Sequence, residues 1–307
     1  MAGLTAAHRL QSAGRKVTVV DKARGVGGRM ATRRLETSRL DHGAQFFTAR
    51  DERLIADVEK WLAEGVVKVW YAQDGHQRYC GTDGMSGIPK YLAKGVDVQT
   101  SSKIVQLESA DGGWRAEDET GSVFEAAQLI LTPPVEQSLA LCESFRPLLG
   151  RKLVQSLQSI HFEPCYALMA LVDGPSNVPS PGCLKPEGTF LSWVADNTQK
   201  GISEAPGAAL TLHADSRFTI EHWDDEPAEV AQLMIAAAAE WPGGPGRTWQ
   251  LHRWRYGTPV RVGEALFLKA LCPGAVYFAG DAFGGPRVEG AYLSGLETAE
   301  DILRGPK

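Results

Sequence analysis

No apolar run in the sequence approaches the roughly 20 residues that a helix needs to cross a bilayer. The longest small-residue stretch, 234–239, is too short and predicts a buried helix. The first residues, MAGLTAAHRLQSAG, have a helical pattern and lack the apolar core of a signal peptide. We therefore expect no membrane partner and no secretion.

Cysteine is scarce and scattered. The chain has five cysteines, an odd number, and no two of them form a CxxC pair. This pattern argues against a disulfide framework and against a zinc site, so no metal is expected. A reduced, cytoplasmic compartment fits best. The five positions are Cys80, Cys142, Cys165, Cys183 and Cys272.

An excess of basic residues is also missing. The sequence has 32 Lys and Arg against 37 Asp and Glu, which gives a formal net charge of -5. Nucleic acids and anionic lipid surfaces both favour a basic face, so neither is an expected partner. A small-molecule substrate is the expectation that remains, and the oligomeric state is left open.

Three short apolar runs read as parallel strands, at 16–21, 128–131 and 276–281. Irregular β-rich sequence separates them, and 96–108 and 114–124 read as antiparallel strands around a turn at 111–113. The pattern predicts an α/β nucleotide-binding domain built from separated segments, with a second domain of mixed β-sheet and helix inserted. We assign 1–50, 84–150 and 272–307 to the first domain, and 51–83 and 151–271 to the second.

The first strand ends in an acid and leads into a glycine-rich turn. Asp21 has the place that dinucleotide folds give to the acid that holds the adenosine ribose, although a solvated turn aspartate is the alternative. The turn that follows, Arg24 to Arg29, has three glycines, which let backbone N–H groups approach a pyrophosphate. The guanidinium of Arg29 can pair bidentately with phosphate.

The usual phosphate fingerprint G-x-G-x-x-G survives here only in its tail, Ala2-Gly3, with the helix behind it. The first strand and the first two glycines are missing, which points to an internal start codon or a truncation. Because a central parallel strand pairs on both sides, we expect a chain expressed from Met1 to be insoluble or flavin-free. Restoring an upstream strand and glycine turn should give a yellow protein.

The C-terminal segment has a second ligand pattern. Gly280-Asp281 ends an apolar strand, and Gly290-Ala291 begins a helix. An acid at a strand end can accept ribityl hydroxyls, and a helix N-terminus favours an electron-rich ring edge or a phosphate. A surface loop with glycines is the alternative interpretation, but the combination favours a flavin site.

Together these segments resemble the glutathione-reductase-type FAD fold of the flavin-containing amine oxidases, and within that superfamily the renalase-like proteins. The resemblance follows the family's order over nearly the whole chain, and the C-terminal string is its most specific part. It rests on the strings DKARGVGGRM, LDHGAQFFTARD, GMSGIPKYL, LILTPPVEQ, LHRWRYGTP and AGDAFGGPRVEGAYLSG.

The resemblance implies a non-covalent FAD and a set of residues around it. Asp21 and Lys22 would hold the adenosine, Val105 would touch the adenine, and Asp281 would bind the ribityl or phosphate end. No cysteine stands near the C-terminal segment, which argues against a covalent link. The remaining expected cofactor residues are Ala2, Gly3, Gly27, Gly28, Arg29 and Met30 at the phosphate turn, Gly43, Ala44, Gln45 and Phe46 beside the ring, and Gly280, Arg287, Val288, Glu289, Gly290 and Ala291 in the C-terminal segment.

Substrate contacts should come largely from the inserted domain. Phe47, Trp193, His213 and Trp254 are the candidates, because aromatic rings and an imidazole can contact a planar substrate. Ordinary core packing is the alternative for Trp193, His213 and Trp254. Phe46, which precedes Phe47, follows Gln45, the glutamine expected to border the ring.

Three functions fit. A renalase-like oxidase would take hydride from dihydronicotinamide isomers of NAD(P)H and pass electrons to oxygen, giving hydrogen peroxide. An amine oxidase would favour an aromatic cage and a lysine near the flavin, and Lys152, Lys185, Lys200 and Lys269 match no known string for that role. A degenerate, non-enzymatic flavoprotein is the third.

Overall fold

The computed structural model describes residues 1–110, 112–204, 206–260, 265–272 and 274–305. The helices are α1 (Ala2–Ser12), α2 (Glu52–Ala63), α3 (Gly87–Leu92), α4 (Val135–Leu141), α5 (Arg151–Gln158), α6 (Ser216–Glu221), α7 (Pro227–Ala237), α8 (Asp281–Gly284) and α9 (Val288–Arg304). Short 3-10 turns cover Gly28–Met30 and Glu143–Leu149. In the described part of the chain, no helix has the length and apolar character needed to cross a membrane.

The strands form several separate sheets. They are β1 (Thr18–Val20), β2 (Thr32–Leu35), β3 (Ser38–Asp41), β4 (Val67–Gln73), β5 (His76–Gly81), β6 (Asp97–Gln99), β7 (Ile104–Ala110), β8 (Gly113–Asp118), β9 (Val123–Ala126), β10 (Leu129–Leu131), β11 (Phe162–Val172), β12 (Cys183–Leu184), β13 (Leu191–Asp196), β14 (Ala208–Ala214), β15 (Gly246–Pro259), β16 (Phe267–Ala270) and β17 (Val276–Ala279).

The parallel strands lie in two separately hydrogen-bonded sheets. β1 pairs in parallel with β6, while β10 pairs in parallel with β17, and β16 runs antiparallel on the other edge of β17. Helix α1 lies against both sheets, since Ala6 and Leu10 share an apolar cluster with Val17 and Ile130. Packing of α1 and α9, rather than one continuous ladder, therefore joins the two sheets.

One predicted strand pair is wrong in part. The sequence predicted antiparallel strands over 96–108 and 114–124, but residues 97–99 form β6, which is parallel to β1. The antiparallel ladder of β7 with β8 starts only at Ile104. The turn predicted at 111–113 includes Asp111, which lies outside the described residues. Alternation in the sequence indicated strands but could not distinguish their partners.

A five-stranded antiparallel sheet, in the order β12-β13-β14-β11-β15, forms most of the second half. Successive side chains along its strands point to opposite faces of the sheet, and the two faces have different neighbours. On one face, Leu168 and Leu210 pack with Val230 and Met234 of α7 in an apolar core. The opposite face carries the polar and aromatic residues described below.

That opposite face is covered by the β2–β3 hairpin. Leu40 packs on Met169, Leu171 and Ala209, and Leu35 joins the same cluster. This contact sets the segment after β3, residues 41–47, against the sheet.

The packing of α1 on α9 depends on a glycine. A Cβ atom built on Gly295 would overlap the carbonyl oxygen of Ala2. We predict that Gly295→Ala lowers the free energy of unfolding by about 1–3 kcal/mol, as overpacking does, measured by urea titration. Gly246→Ala is the control, because no atom lies within 4 Å of a Cβ there, and it should change stability by no more than about 0.5 kcal/mol. An equal effect of the two substitutions would contradict the close approach.

Candidate active site

The glycine-rich turn and the C-terminal segment meet through an ion pair. Arg29 donates two hydrogen bonds, of 2.7 and 2.6 Å, to the carboxylate of Asp281, which is 252 positions away in sequence. The same guanidinium donates to the carbonyl of Gly257 at 3.1 Å and lies 5.5 Å over the ring of Phe162. Two residues predicted separately as cofactor ligands therefore lie side by side.

The backbone around this pair is open. Gly27 and Gly28 have φ angles of 127° and 54°, a region that glycine enters without strain. No atom lies within 4 Å of a Cβ built on Gly28 or Gly280, so the backbone there can be approached closely. Arg287 precedes α9 without a side-chain cap, which leaves the first N–H groups of this long helix for an anion or an electron-rich ring edge.

The start of α1 lies at the same place. Burial and the nearby Arg29 lower the pKa of the Met1 amino group to about 6, while Asp281 and Asp21 oppose the shift. Ala2 is buried, and a Cβ on Gly3 would contact Thr132 at 3.3 Å, just after β10. The predicted phosphate-side residues at both chain ends thus converge at one edge.

The predicted adenosine residues lie further out. The carboxylate of Asp21 accepts a hydrogen bond from the Ala23 amide at 2.8 Å. Lys22 is exposed and donates to Gln137 at 3.2 Å, and Val105 on β7 is 51% exposed. These residues present an accessible surface, as an adenosine site would need.

The segment 43–45 packs directly on the phosphate turn. The Ala44 amide donates to the carbonyl of Arg29 at 2.8 Å, and a Cβ on Gly43 would overlap that same oxygen. Met30, at the end of the turn, is buried below it. The Gln45 side chain donates to the carbonyls of Asp41 and Gly43 at 2.6 and 3.2 Å, which leaves its buried Oε1 without a partner.

A buried ion pair that the sequence did not indicate holds this segment in place. Lys200 donates to the carboxylate of Asp41 at 2.7 Å, and both side chains have 0% exposure. Lys200 also donates to the carbonyl of Gln45 and lies 4.7 Å over the ring of Trp70. Its three N–H donors are therefore all directed at protein groups. The second carboxylate oxygen of Asp41 accepts from the Met85 amide at 2.8 Å.

Two histidines and a tryptophan surround His42. Its carbonyl accepts from Trp254 Nε1 at 2.8 Å and from His213 Nε2 at 3.2 Å. The His42 ring stacks on Trp254 at 5.2 Å and meets His252 edge-on at 4.9 Å. His42 is 3% exposed, and no described residue offers its Nδ1 a hydrogen bond. Sequence reasoning misses His42 as a site residue, although the string LDHGAQFFTARD contains it.

The row of residues across the sheet explains this cluster. Trp193 lies opposite His213, His213 opposite Ala167, and Ala167 opposite His252, so all four project from one face. Candidates from β13, β14 and β15 that stand far apart in sequence therefore share one surface.

An aromatic cluster adjoins it. Phe46 lies 5.6 Å from Trp193, 6.5 Å from Trp70 and 6.0 Å from Tyr71, measured between ring centroids. The indole Nε1 of Trp193 is buried and has no hydrogen-bond partner. Phe47 points elsewhere: it is 3% exposed and belongs to an apolar core cluster, so the structure places it away from this group.

Glu289 has a structural contact. Its carboxylate accepts from the amides of Arg50 and Asp51 at 2.6 and 2.8 Å, which ties the start of α9 to the start of α2. Gly290 packs against Gly284 so closely that a Cβ on either would overlap backbone. Both residues therefore shape the turn before α9.

Family comparisons agree with this geometry. The family model for flavin containing amine oxidoreductases matches residues 62–303, and a model for NAD(P)-binding Rossmann-like domains matches residues 1–61. The chain belongs to the flavin-containing amine oxidoreductase family. It is therefore an oxidoreductase enzyme with FAD as its cofactor, and the non-enzymatic hypothesis is wrong. The expected α/β fold with a Rossmann-like domain is confirmed.

Several proteins are similar over most of this flavoenzyme's length. Renalase of Mus musculus is 25% identical over 92% of the chain and 90% of its own length. A proposed protoporphyrinogen oxidase of Exiguobacterium sp. 255-15 superposes with a TM-score of 0.73 at 12% identity, covering 99% of this chain and 97% of the other. Putrescine oxidase bound to putrescine gives a TM-score of 0.68 at 16% identity, with coverage of 99% and 97%.

The residues present suit FAD. Open glycines and a helix N-terminus without a side-chain cap match a pyrophosphate and a ring edge. FAD supplies the acceptor for a hydride from the substrate. The chain supplies position and electrostatics.

The Asp41–Lys200 pair gives a stability prediction. We expect Lys200→Met to lower the free energy of unfolding by about 3–5 kcal/mol, because it leaves a buried carboxylate without its counter-charge. Lys60→Met is the control, since Lys60 pairs with Asp57 at the surface and should cost at most about 1 kcal/mol. Urea titration of both variants decides it, and similar losses for the two would contradict the assignment.

The histidines give a pH prediction. Burial is the main cause that lowers the pKa of His42 to about 3 and of His213 to about 4. The unfolded chain binds protons on these rings from about pH 6.5 downward, so stability falls as pH falls, by up to about 1.4 kcal/mol per pH unit for each ring. Urea titrations at pH 7 and 5 should show this slope, and His42→Asn should reduce it. His8→Asn, on the exposed side of α1, is the control. An unchanged slope in the His42 variant would show that burial of His42 is not the origin of the pH dependence.

Proposed function

We propose that this enzyme oxidises dihydronicotinamide isomers of NAD(P)H. The substrate loses a hydride and leaves as NAD(P)+, and two electrons and two protons convert oxygen to hydrogen peroxide. The resemblance to renalase-like proteins, together with the 25% identity to a renalase, supports this substrate class.

The observation that carries the proposal is a pair of unpartnered polar atoms. Trp193 Nε1 is a buried donor and Gln45 Oε1 is a buried acceptor, and neither has a partner among the described residues. Phe46, the neighbour of Gln45 in the chain, lies 5.6 Å from the Trp193 ring. A carboxamide offers one carbonyl acceptor and two N–H donors, so it can satisfy both. Leaving such groups unpaired is costly, and a substrate that pairs them gains selectivity.

The charges near the site point the same way. The histidines are neutral near pH 7, and the Asp41 carboxylate is paired with Lys200. The positive charge of Arg33 contributes to lowering the pKa of both His42 and His252. A protonated amine would be repelled by the Arg33 charge. Among the charged groups named above, no carboxylate is free to pair with that amine. The phosphates of a nicotinamide nucleotide would be attracted.

An amine oxidase remains the second candidate, because Phe46, Trp70, Tyr71 and Trp193 form an aromatic cluster of the kind that holds cations. Lys200 is near this cluster, yet its donors are directed at Asp41, Gln45 and the Trp70 ring. It is therefore committed to protein contacts rather than free to serve as the lysine near the flavin that amine oxidation favours.

We also propose which segments bind the flavin. The phosphate turn, segment 43–46 and the turn before α9 would hold it, with Asp21, Lys22 and Val105 at the adenosine. The FAD domain would comprise 1–50, 84–150 and the C-terminal part, and the substrate domain 51–83 and the segment from 151. Because β16 pairs with β17, we propose that the last boundary lies between residues 259 and 267 rather than at 272.

Anaerobic mixing tests the proposed reaction. The protein is used with one FAD bound per chain. We expect 2- and 6-dihydronicotinamide isomers to bleach the visible flavin band fast, ordinary NAD(P)H slowly, and putrescine or benzylamine not at all. Admitting oxygen should give one peroxide per product. Fast bleaching by amines alone would overturn the proposal in favour of the second candidate.

Trp193→Phe tests the carboxamide contact. Loss of one hydrogen bond to a buried partner should weaken binding of the dihydronicotinamide by about 5–100-fold. Trp249→Phe is the matched control, because Trp249 is exposed on β15. The dissociation constant comes from the concentration dependence of flavin reduction, and equal constants for the two variants would refute the contact.

A further inference from the structure

Arg33 is a half-buried guanidinium for which the described residues provide neither an ion pair nor a hydrogen bond. It lies on β2 directly opposite Leu40 of β3. Directly opposed residues of an antiparallel pair project from the same side, so Arg33 faces where Leu40 faces. Leu40 and Leu35 pack on Met169 and Leu171 of the five-stranded sheet, which aims Arg33 at the sheet face that carries the site.

Two histidines lie beside it. His42 follows β3, and His252 stands on β15 in the row that includes His213. Arg33 lies on the side of the β2–β3 hairpin that faces the sheet, His252 stands on that sheet face, and Leu40, the residue opposed to Arg33, is two positions from His42. The positive charge of Arg33 also contributes to the lowered pKa of both His42 and His252. The rings themselves lie 4.9 Å apart, and the His42 Nδ1 is buried and unpartnered. Three nitrogen-bearing side chains thus converge.

The charges of this group suit an anion. A guanidinium binds phosphate oxygens bidentately, and neutral imidazoles can each donate one N–H without adding like-charge repulsion to Arg33. On the cofactor side, Arg29 is already paired with Asp281, so the two guanidinium groups have different partners.

We propose that Arg33, His42 and His252 form a binding site for a phosphate of the nucleotide substrate. The site rests on the proposed function and extends it: the enzyme recognises the phosphorylated nucleotide and not only the dihydronicotinamide ring. The phosphate then anchors the substrate at one end, while Trp193 and Gln45 orient the carboxamide at the other.

The test compares two substrates that differ only in the phosphate, dihydronicotinamide mononucleotide and dihydronicotinamide riboside. The protein is again used with one FAD per chain. We expect the wild-type KM to be about tenfold or more lower for the mononucleotide, as a charge-assisted contact would give. Arg33→Gln should raise that KM to the value of the riboside, with kcat for both unchanged. Arg33→Lys keeps the positive charge but loses the paired N–H donors of the guanidinium, so its KM for the mononucleotide should lie between those of the wild type and Arg33→Gln.

Arg34→Gln is the matched control, because Arg34 is the next residue on β2, projects from the opposite side and is exposed. It should keep the wild-type preference. A preference that survives Arg33→Gln, or that Arg34→Gln abolishes equally, overturns the proposal.

A binding measurement separates this inference from the proposed reaction. Inorganic phosphate, titrated into the wild-type protein by calorimetry, should bind, and Arg33→Gln should abolish that binding while Arg34→Gln keeps it. Phosphate should also compete with the mononucleotide and not with the riboside. If the wild-type protein oxidises neither substrate yet binds phosphate through Arg33, the proposed function fails and the site stands. If phosphate does not bind or compete, the site fails.

Discussion

The buried ion pair between Asp41 and Lys200 is the contact on which the site depends. It joins the end of a hairpin in the first part of the chain to a turn in the second part, 159 positions away, with no exposure of either side chain. A buried pair of this kind is stabilising only when hydrogen bonds satisfy its other polar atoms. Here the Met85 amide and the Gln45 carbonyl do so.

The positions of the neighbouring residues follow from this anchoring. Once Asp41 is fixed, the His42 carbonyl can accept from Trp254 and His213, and the Gln45 amide folds back on the chain. Those hydrogen bonds use some polar atoms and leave others facing inward without partners. A substrate that pairs the remaining atoms is selected by chemistry rather than by shape alone.

Local sequence was informative where a motif is local. Arg29 and Asp281 could be assigned because a glycine turn and a strand-end acid each have a recognisable pattern, and the structure brings the two together. Asp41 and Lys200 could not be assigned, because nothing in either string reveals a partner 159 positions away. Phe47 lies in an apolar core cluster while Phe46 faces the aromatic cluster, because adjacent residues of an extended segment point to opposite sides. The segment 97–99 shows the same limit for strands, since alternation does not name a partner.

The Asp41–Lys200 pair, in our proposal, positions segment 43–46, which we propose to bind the flavin, and does not merely stabilise the fold. The double variant Asp41→Asn/Lys200→Met removes both charges, and such replacements often restore stability. The deciding measurement is its rate constant for flavin reduction at saturating dihydronicotinamide, in protein that retains one FAD and wild-type stability. We expect a rate constant about tenfold or more below wild type, because misplacement of reacting groups slows the reaction to that extent. A wild-type rate constant in that stable variant would contradict it.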